Sequence, residues 1–170
     1  MKYFYLSLLL CTIQMASIDI YAQGKYAGAF KKLVGRTYTD DRKVKGLEGY
    51  AYRQGDVITD QNDGRPQFIT IYINKNRAVV MYSMHKDGPK EEFIIIDIIQ
   101  VNNVPTGWEI KTAGCQEGNT EGQIIIALVN AGKKEYTTTV KQAWRCDRDK
   151  LKIEAISTKN IKCINEGFGE

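Results

Sequence analysis

From residue 68 onward, apolar and polar residues alternate with a period of two, and this pattern constrains the fold more than any other feature of the chain. Residues 68–73 place three isoleucines on one face. In residues 135–146, Tyr136, Val140 and Trp144 share one face, and charged side chains occupy the other. Alternation of this kind is typical of half-buried antiparallel strands.

Short turns separate these strands, as at residues 74–76 and 87–89, where Asn, Gly and Pro interrupt the pattern. Weaker strands near Tyr38 and at residues 49–52 bring the count to eight or nine. The chain shows neither an internal repeat nor a long linker. We therefore predict a mainly β fold, an eight- to nine-stranded antiparallel meander. Because a meander that closes on itself leaves no exposed edge, we favour a barrel over a sandwich.

One short helix is expected before the first strand. Tyr26, Phe30, Leu33 and Val34 recur at helical spacing, and Gly35 is a suitable end for the helix. Together with the strands, this helix predicts a single β domain over residues 23–170.

Residues 1–22 have the three parts of a cleaved secretory signal. Lys2 supplies a positive end, an apolar run follows over residues 3–13, and Ala22 is a small residue at the cleavage position. A membrane span needs about 20 apolar residues in succession, and Gln14 interrupts this run. We therefore expect an exported protein, periplasmic or secreted, that does not span the membrane.

The charge of the chain gives little support for a nucleic-acid partner. The formal net charge is +4, and basic and acidic residues are interspersed. The lysine pairs at residues 31–32 and 133–134 are isolated, whereas a nucleic-acid-binding protein usually has a basic stripe with interleaved aromatic residues. We expect no nucleic-acid partner.

Three of the four cysteines remain after signal cleavage: Cys115, Cys146 and Cys163. In an oxidising compartment, three cysteines predict one disulfide and one free thiol. Spacing does not determine the pairing. We favour Cys146 with Cys163, which would attach the C-terminal tail to the last long strand, and the pair Cys115 with Cys146 is the alternative.

The start of the predicted domain resembles the lipocalin, or calycin, plan. A helical turn is followed by Gly35, Arg36, Thr37 and Tyr38 at the first strand and then by the meander. Lipocalins carry Gly-x-Trp at this point, whereas here Thr37 holds the Trp position and Tyr38 follows. The signal ending at Ala22 also resembles exported proteins of Bacteroides-group bacteria. The resemblance implies a bacterial β-barrel that holds a small apolar ligand.

The sequence contains no recognisable catalytic or cofactor motif. His85 is the one histidine of the chain, so a zinc site built on imidazoles is not expected. Ser83 lies two residues from His85 on the same strand face, but no nucleophile-elbow motif surrounds it. We expect no cofactor and no metal, and a secreted hydrolase is the third and least favoured hypothesis.

Asp97 interrupts the apolar run at residues 92–101. An inward carboxylate would need hydrogen-bond partners and would mark a site, whereas an outward one would be an ordinary surface group. We favour the outward placement, and we keep Asp97 among the candidate site residues.

The leading functional hypothesis is a non-enzymatic binding protein with a small apolar ligand inside the barrel. The residues expected to line the ligand site are Ile69, Ile71, Val79, Met81, Asp97 and Trp144. A filled barrel needs the apolar residues of this set as its core, and this second interpretation of them is the favoured one. The alternative is a module that recognises a protein or a glycan through surface tyrosines, of which Tyr50 and Tyr52 share one strand face.

Overall fold

The computed structural model describes residues 28–58, 66–120, 122–130, 132–166 and 168. The predicted signal at residues 1–22 lies outside these ranges. Within them the chain forms twelve strands, and every pairing between strands is antiparallel. The strands are β1 Thr37–Tyr38, β2 Ala51–Ile58, β3 Gln67–Asn74, β4 Arg77–Lys86, β5 Glu92–Val101, β6 Glu109–Lys111, β7 Cys115–Glu117, β8 Ile124–Val129, β9 Tyr136–Thr137, β10 Val140–Asp147, β11 Lys152–Ile156 and β12 Ile161–Ile164.

The strands belong to three sheets. Sheet 1 has the order β1-β5-β4-β3-β2 and forms a half-barrel. Sheet 2 has the order β11-β10-β8-β6, and sheet 3 has the order β7-β12-β9. The prediction of a mainly β, antiparallel fold is confirmed. From β6 to β10 the chain alternates between sheets 2 and 3, and after β11 in sheet 2 it returns to sheet 3 with β12, so these strands do not follow a simple meander.

The predicted strand at residues 135–146 is two strands in different sheets. β9 pairs with β12 in sheet 3, whereas β10 pairs with β8 and β11 in sheet 2. The side chain of Thr137 redirects the chain between them, because its hydroxyl donates to the carbonyl of Asn130 and accepts from the backbone N–H of Thr139. Such local side-chain bonds compete with a regular ladder.

The predicted N-terminal helix is not supported as a regular helix. Over the described residues, helical backbone is limited to the single turn α1 Gly28–Lys31 and a 3-10 turn at Asp41–Lys43, and Tyr26 of the predicted helix lies outside them. Gly35, with φ of +82°, leads the chain directly into sheet 1, where its N–H donates to the carbonyl of Ile95. No helix in the described ranges combines the length and hydrophobicity that a membrane crossing requires.

Sheets 1 and 2 pack face to face over the main core. Ile69, Val80 and Tyr82 from sheet 1 meet Leu128 and Trp144 from sheet 2, and all five are at least 96% buried. Burial of apolar area at this scale is the main force that holds two sheets together.

Residues 28–36 and 39–50, which we call the N-terminal segment, cover part of the other face of sheet 1. Leu33, Val44 and Leu47 pack there against Val79 and Met81. Gly46 permits this contact, because a Cβ at Gly46 would lie 2.7 Å from Cδ2 of Leu33, and the φ of Gly46 is +102°. The cover is partial, and the part of sheet 1 near β1 remains open.

Sheet 3 covers the other face of sheet 2. Ile125, Ala127 and Val129 from β8 meet Ile161 and Cys163 in a third cluster. Because β8 is buried on both faces, all its residues are apolar and its sequence does not alternate.

Asp97 joins sheet 1 to sheet 2, so the favoured outward placement is wrong. A β-bulge in β5 opposite Tyr82 and Ser83 turns the side chain inward. Its Oδ1 accepts from the N–H of Ile98 at 2.8 Å, and its Oδ2 accepts from the N–H of Ile153 in β11 at 2.7 Å. Asp97 is 95% buried. This burial is tolerated because the two amides satisfy the hydrogen-bonding capacity of the carboxylate.

The disulfide joins Cys115 to Cys163, with an S–S distance of 2.00 Å, and Cys146 is free and buried. Both the favoured pairing, Cys146 with Cys163, and its alternative are therefore wrong. Cys115 and Cys163 lie opposite each other on β7 and β12. Cys146 faces the main core beside Tyr82, on the other side of sheet 2.

We expect Asp97→Asn to lower the free energy of unfolding by about 2–3 kcal/mol, because the amide replaces a charged acceptor of two backbone N–H groups. Urea denaturation measures this change. Asp149→Asn, an exposed substitution with the same change in charge, should shift the value by less than about 0.5 kcal/mol. Equal effects of the two substitutions would contradict the inter-sheet role of Asp97.

Alkylation should distinguish the three cysteines of the described residues, Cys115, Cys146 and Cys163. Burial raises the pKa of the Cys146 thiol to about 12, so iodoacetamide should leave it unlabelled in the folded protein at neutral pH and should label it after unfolding without reductant. Cys115 and Cys163 should be labelled only after reduction. A cross-linked peptide that contains Cys146 in a non-reducing digest would contradict the pairing.

Candidate functional site

The structure separates the six predicted ligand-site residues. Ile69, Asp97 and Trp144 face sheet 2, whereas Val79 and Met81 lie on the opposite face of sheet 1 under the N-terminal segment. Ile71 lies two residues after Ile69 on β3, so the two side chains share one strand face, and Ile71 is 99% buried. All six side chains are buried among neighbours, and no single cavity could be lined by both groups.

An open cleft of about 350 Å³ lies instead on the outer face of sheet 1, beside the N-terminal segment. We call it the aromatic cleft. It is lined by Tyr38, Thr39, Asp40, Asp41, Gly55, Val57, Phe68, Thr70 and Phe93. The strand register brings these residues together, since Tyr38 is opposite Phe93, Gly55 is opposite Thr70 and Val57 is opposite Phe68.

Three aromatic rings form the apolar wall of the cleft. Phe93 stacks on Tyr38 with a centroid distance of 5.4 Å and meets Phe68 edge-on at 5.0 Å. His85 packs edge-on against the same Phe93 ring at 5.8 Å. Val57 adds an aliphatic side chain that is 63% exposed, so the cleft presents apolar surface to a ligand.

The hydroxyl of Tyr38 anchors this wall to the sheet. It forms a 2.6 Å hydrogen bond with the hydroxyl of Ser83, which is completely buried in β4. Burial raises the pKa of Tyr38 to about 12, and the negative charge of Asp41 adds to the increase, while the hydrogen bond with Ser83 opposes it. The ring is therefore held in place, and its hydroxyl stays neutral at physiological pH.

Two carboxylates lie at the rim and differ in their partners. Asp40 caps the 3-10 turn by accepting from the N–H of Arg42 at 2.9 Å, and it pairs with Lys43 at 3.3 Å. These contacts lower the pKa of Asp40, with the Arg42 amide contributing most. Among the described residues, none donates a hydrogen bond to the carboxylate of Asp41, whose backbone carbonyl accepts from Tyr72 at 2.7 Å.

Gly55 keeps the space next to Asp41 open. A Cβ at Gly55 would lie 2.9 Å from the hydroxyl oxygen of Tyr52 and 3.5 Å from Oδ2 of Asp41. A side chain at this position would displace the hydroxyl of Tyr52 and enter the cleft beside the carboxylate, with which its Cβ would make an ordinary van der Waals contact.

The tyrosines of the alternative hypothesis are half-buried and pack against other rings. Tyr50 meets Phe30 edge-on at 5.5 Å, and Tyr52 meets Tyr72 edge-on at 6.2 Å. The guanidinium of Arg42 lies over the Tyr52 ring at 5.5 Å. Both tyrosines therefore help to fasten the N-terminal segment to sheet 1.

Sequence reasoning missed the aromatic cleft, although a signal for it is present. Alternation in β3 puts Phe68 and Thr70 on the face opposite Ile69, and an aromatic residue on a strand face assigned to solvent can indicate a binding surface. Phe93 and Asp41 had no comparable signal, because their position at the cleft depends on the pairing of β1 with β5.

The residues that the structure covers contain no group of three or more His, Cys, Asp or Glu side chains placed to hold a metal ion. Comparison of the chain with protein-family models, with curated proteins and with solved structures finds no match. Functional inference therefore depends on the geometry of the cleft itself.

Tyr38 should remain protonated where an ordinary tyrosine ionises. At about pH 10.5 an ordinary tyrosine is about three-quarters ionised, so the tyrosinate absorbance of the folded wild type and of folded Tyr38→Phe should differ little. In urea the two should differ by about three-quarters of a tyrosinate. Because the folded-state pKa is raised from 10.0 to about 12, the stability linked to this group is present below pH 10 and is lost as the pH rises toward about 12. A difference of about three-quarters of a tyrosinate between the folded proteins at about pH 10.5 would contradict this assignment.

Proposed function

We propose that the protein is an exported, non-enzymatic binding protein that takes a small ligand in the aromatic cleft. The observation that carries the proposal is the contrast between the two faces of sheet 1. The inner face is filled by side chains from sheet 2, while the outer face carries an open cleft with three aromatic rings and the exposed Val57.

The size and composition of the cleft suit a small molecule with an apolar part. Ligand sites commonly enclose about 300–1,000 Å³ and combine an apolar lining with a few polar groups. The aromatic cleft is at the lower end of this range, so a molecule of about one to three rings is the expected size. The carboxylates of Asp40 and Asp41 at the rim supply the polar groups.

The packed interior argues against a ligand between the sheets. Ile69, Val80, Leu128 and Trp144 are each at least 96% buried and contact one another across the sheets. A ligand there would have to displace close-packed side chains, and loss of such packing costs several kcal/mol. We therefore move the proposed ligand from the interior of the barrel to the outer face of sheet 1.

The proposals of export and of a lipocalin-like architecture rest on coarser features. A disulfide between Cys115 and Cys163 is typical of an oxidising compartment, which favours a periplasmic or secreted protein. A half-barrel sheet with the sequence Gly35 to Tyr38 at its first strand favours a distant likeness to lipocalins.

The contacts of Ser83 and His85 favour binding over hydrolysis. The Ser83 hydroxyl is hydrogen-bonded to Tyr38, and the His85 ring packs against Phe93.

The neutral fluorescent probe N-phenyl-1-naphthylamine tests the proposed function. We expect the wild type to bind it and Phe93→Ala to bind it at least about tenfold more weakly, because the substitution removes the ring that both Tyr38 and Phe68 contact. Phe168→Ala is the matched control, since Phe168 is 54% exposed and lies outside the cleft, and it should leave the affinity unchanged.

Circular dichroism establishes that both variants are folded. Absence of probe binding to the wild type, or equal losses in Phe93→Ala and Phe168→Ala, would contradict the proposal. Binding of immobilised glycans without binding of the probe would instead support the module that recognises glycans.

A further inference from the structure

We infer that the ligand of the aromatic cleft carries a positive charge, and that Asp41 recognises this charge next to the rings of Tyr38 and Phe93. The inference rests on the proposed function and specifies its ligand class as organic ammonium compounds with an apolar body. Asp41, Gly55 and the aromatic wall line the same cleft, so one small molecule can contact all three.

The charges around the cleft are complementary to a cation. Its described lining contains two aspartates and neither lysine nor arginine. Lys43 offsets Asp40 at 3.3 Å, whereas no lysine or arginine among the described residues forms an ion pair with Asp41. Arg42, the next residue, places its guanidinium over the ring of Tyr52. Among the described lining residues, Asp41 therefore carries a negative charge without an ion pair, and a cationic ligand would neutralise it.

The charge of Asp41 affects the pKa values of three neighbouring tyrosines. Burial is the first cause that raises the pKa of Tyr38, Tyr52 and Tyr72, and the charge of Asp41 contributes to the increase in all three. The carboxylate thus acts on a partly buried aromatic environment, where water screens a charge less than it does at an open surface.

The aromatic rings favour a cation for a second reason. A cation within about 6 Å of a ring face is attracted by the ring quadrupole, and an ammonium group with apolar substituents keeps this attraction while it buries apolar surface. Tyr38 and Phe93 stack with their rings inclined by 29°, so a cation in the cleft would meet the ring faces that the two residues turn away from each other.

Two probes of nearly equal shape test the inference: phenyltrimethylammonium and its neutral counterpart tert-butylbenzene. Their affinities for the full chain are measured from chemical-shift changes in amide NMR spectra. We expect the cation to bind at least about tenfold more tightly than the neutral probe, with the largest shifts at β1, β3 and the start of β5.

Asp41→Asn should reduce this preference to less than about threefold and leave the affinity for tert-butylbenzene unchanged. Asp149→Asn makes the same change in net charge outside the cleft and should keep the tenfold preference. Phe93→Leu, which retains apolar volume without a ring, should weaken the binding of the cation more than that of the neutral probe.

Equal binding of the two probes by the wild type, or an unchanged preference in Asp41→Asn, would overturn the inference and leave the proposed function standing, since the cleft would still bind a neutral molecule. Failure of both probes to shift residues of the cleft would overturn the inference and the proposed function together.

Discussion

The carboxylate of Asp97 is the interaction on which the arrangement of the sheets depends. Its two oxygens accept from amides of different strands, Ile98 in β5 and Ile153 in β11, within an apolar core where an unsatisfied charge would be costly. A second polar contact lies at the other edge, where the hydroxyl of Thr112 donates to Asp56 and accepts from Gln54. Side-chain hydrogen bonds at both edges therefore fix the position of sheet 2 on sheet 1, while the apolar core between them supplies most of the attraction.

This arrangement determines where a ligand can bind. The inner face of sheet 1 is closed by Leu128 and Trp144 of sheet 2, and sheet 3 closes the far side of sheet 2. The outer face of sheet 1 is covered over Val79 and Met81 but remains open at Phe93. The aromatic cleft lies where the covering segment ends and the outer face of sheet 1 becomes open. The covering segment supplies the rim carboxylates of Asp40 and Asp41.

The period of the sequence could predict strands, but it could not assign them to sheets. β3, β4 and β5 lie close to their predicted positions because alternation and short turns are local signals. The separation of β9 from β10 depends on hydrogen bonds of Thr137 to residues on both sides. The cysteine pairing depends on which face of sheet 2 carries the side chain of Cys146 in β10. The inward turn of Asp97 depends on a bulge in β5. Neither feature has a local signal in the sequence.

The central claim is that the interior between sheets 1 and 2 is filled and that the ligand site lies outside it. Diffraction from crystals pressurised with xenon tests this claim most directly, because xenon enters empty apolar cavities in proteins. The account predicts no ordered xenon among Ile69, Leu128 and Trp144. An ordered xenon atom between these side chains would reveal an interior cavity and would contradict the account.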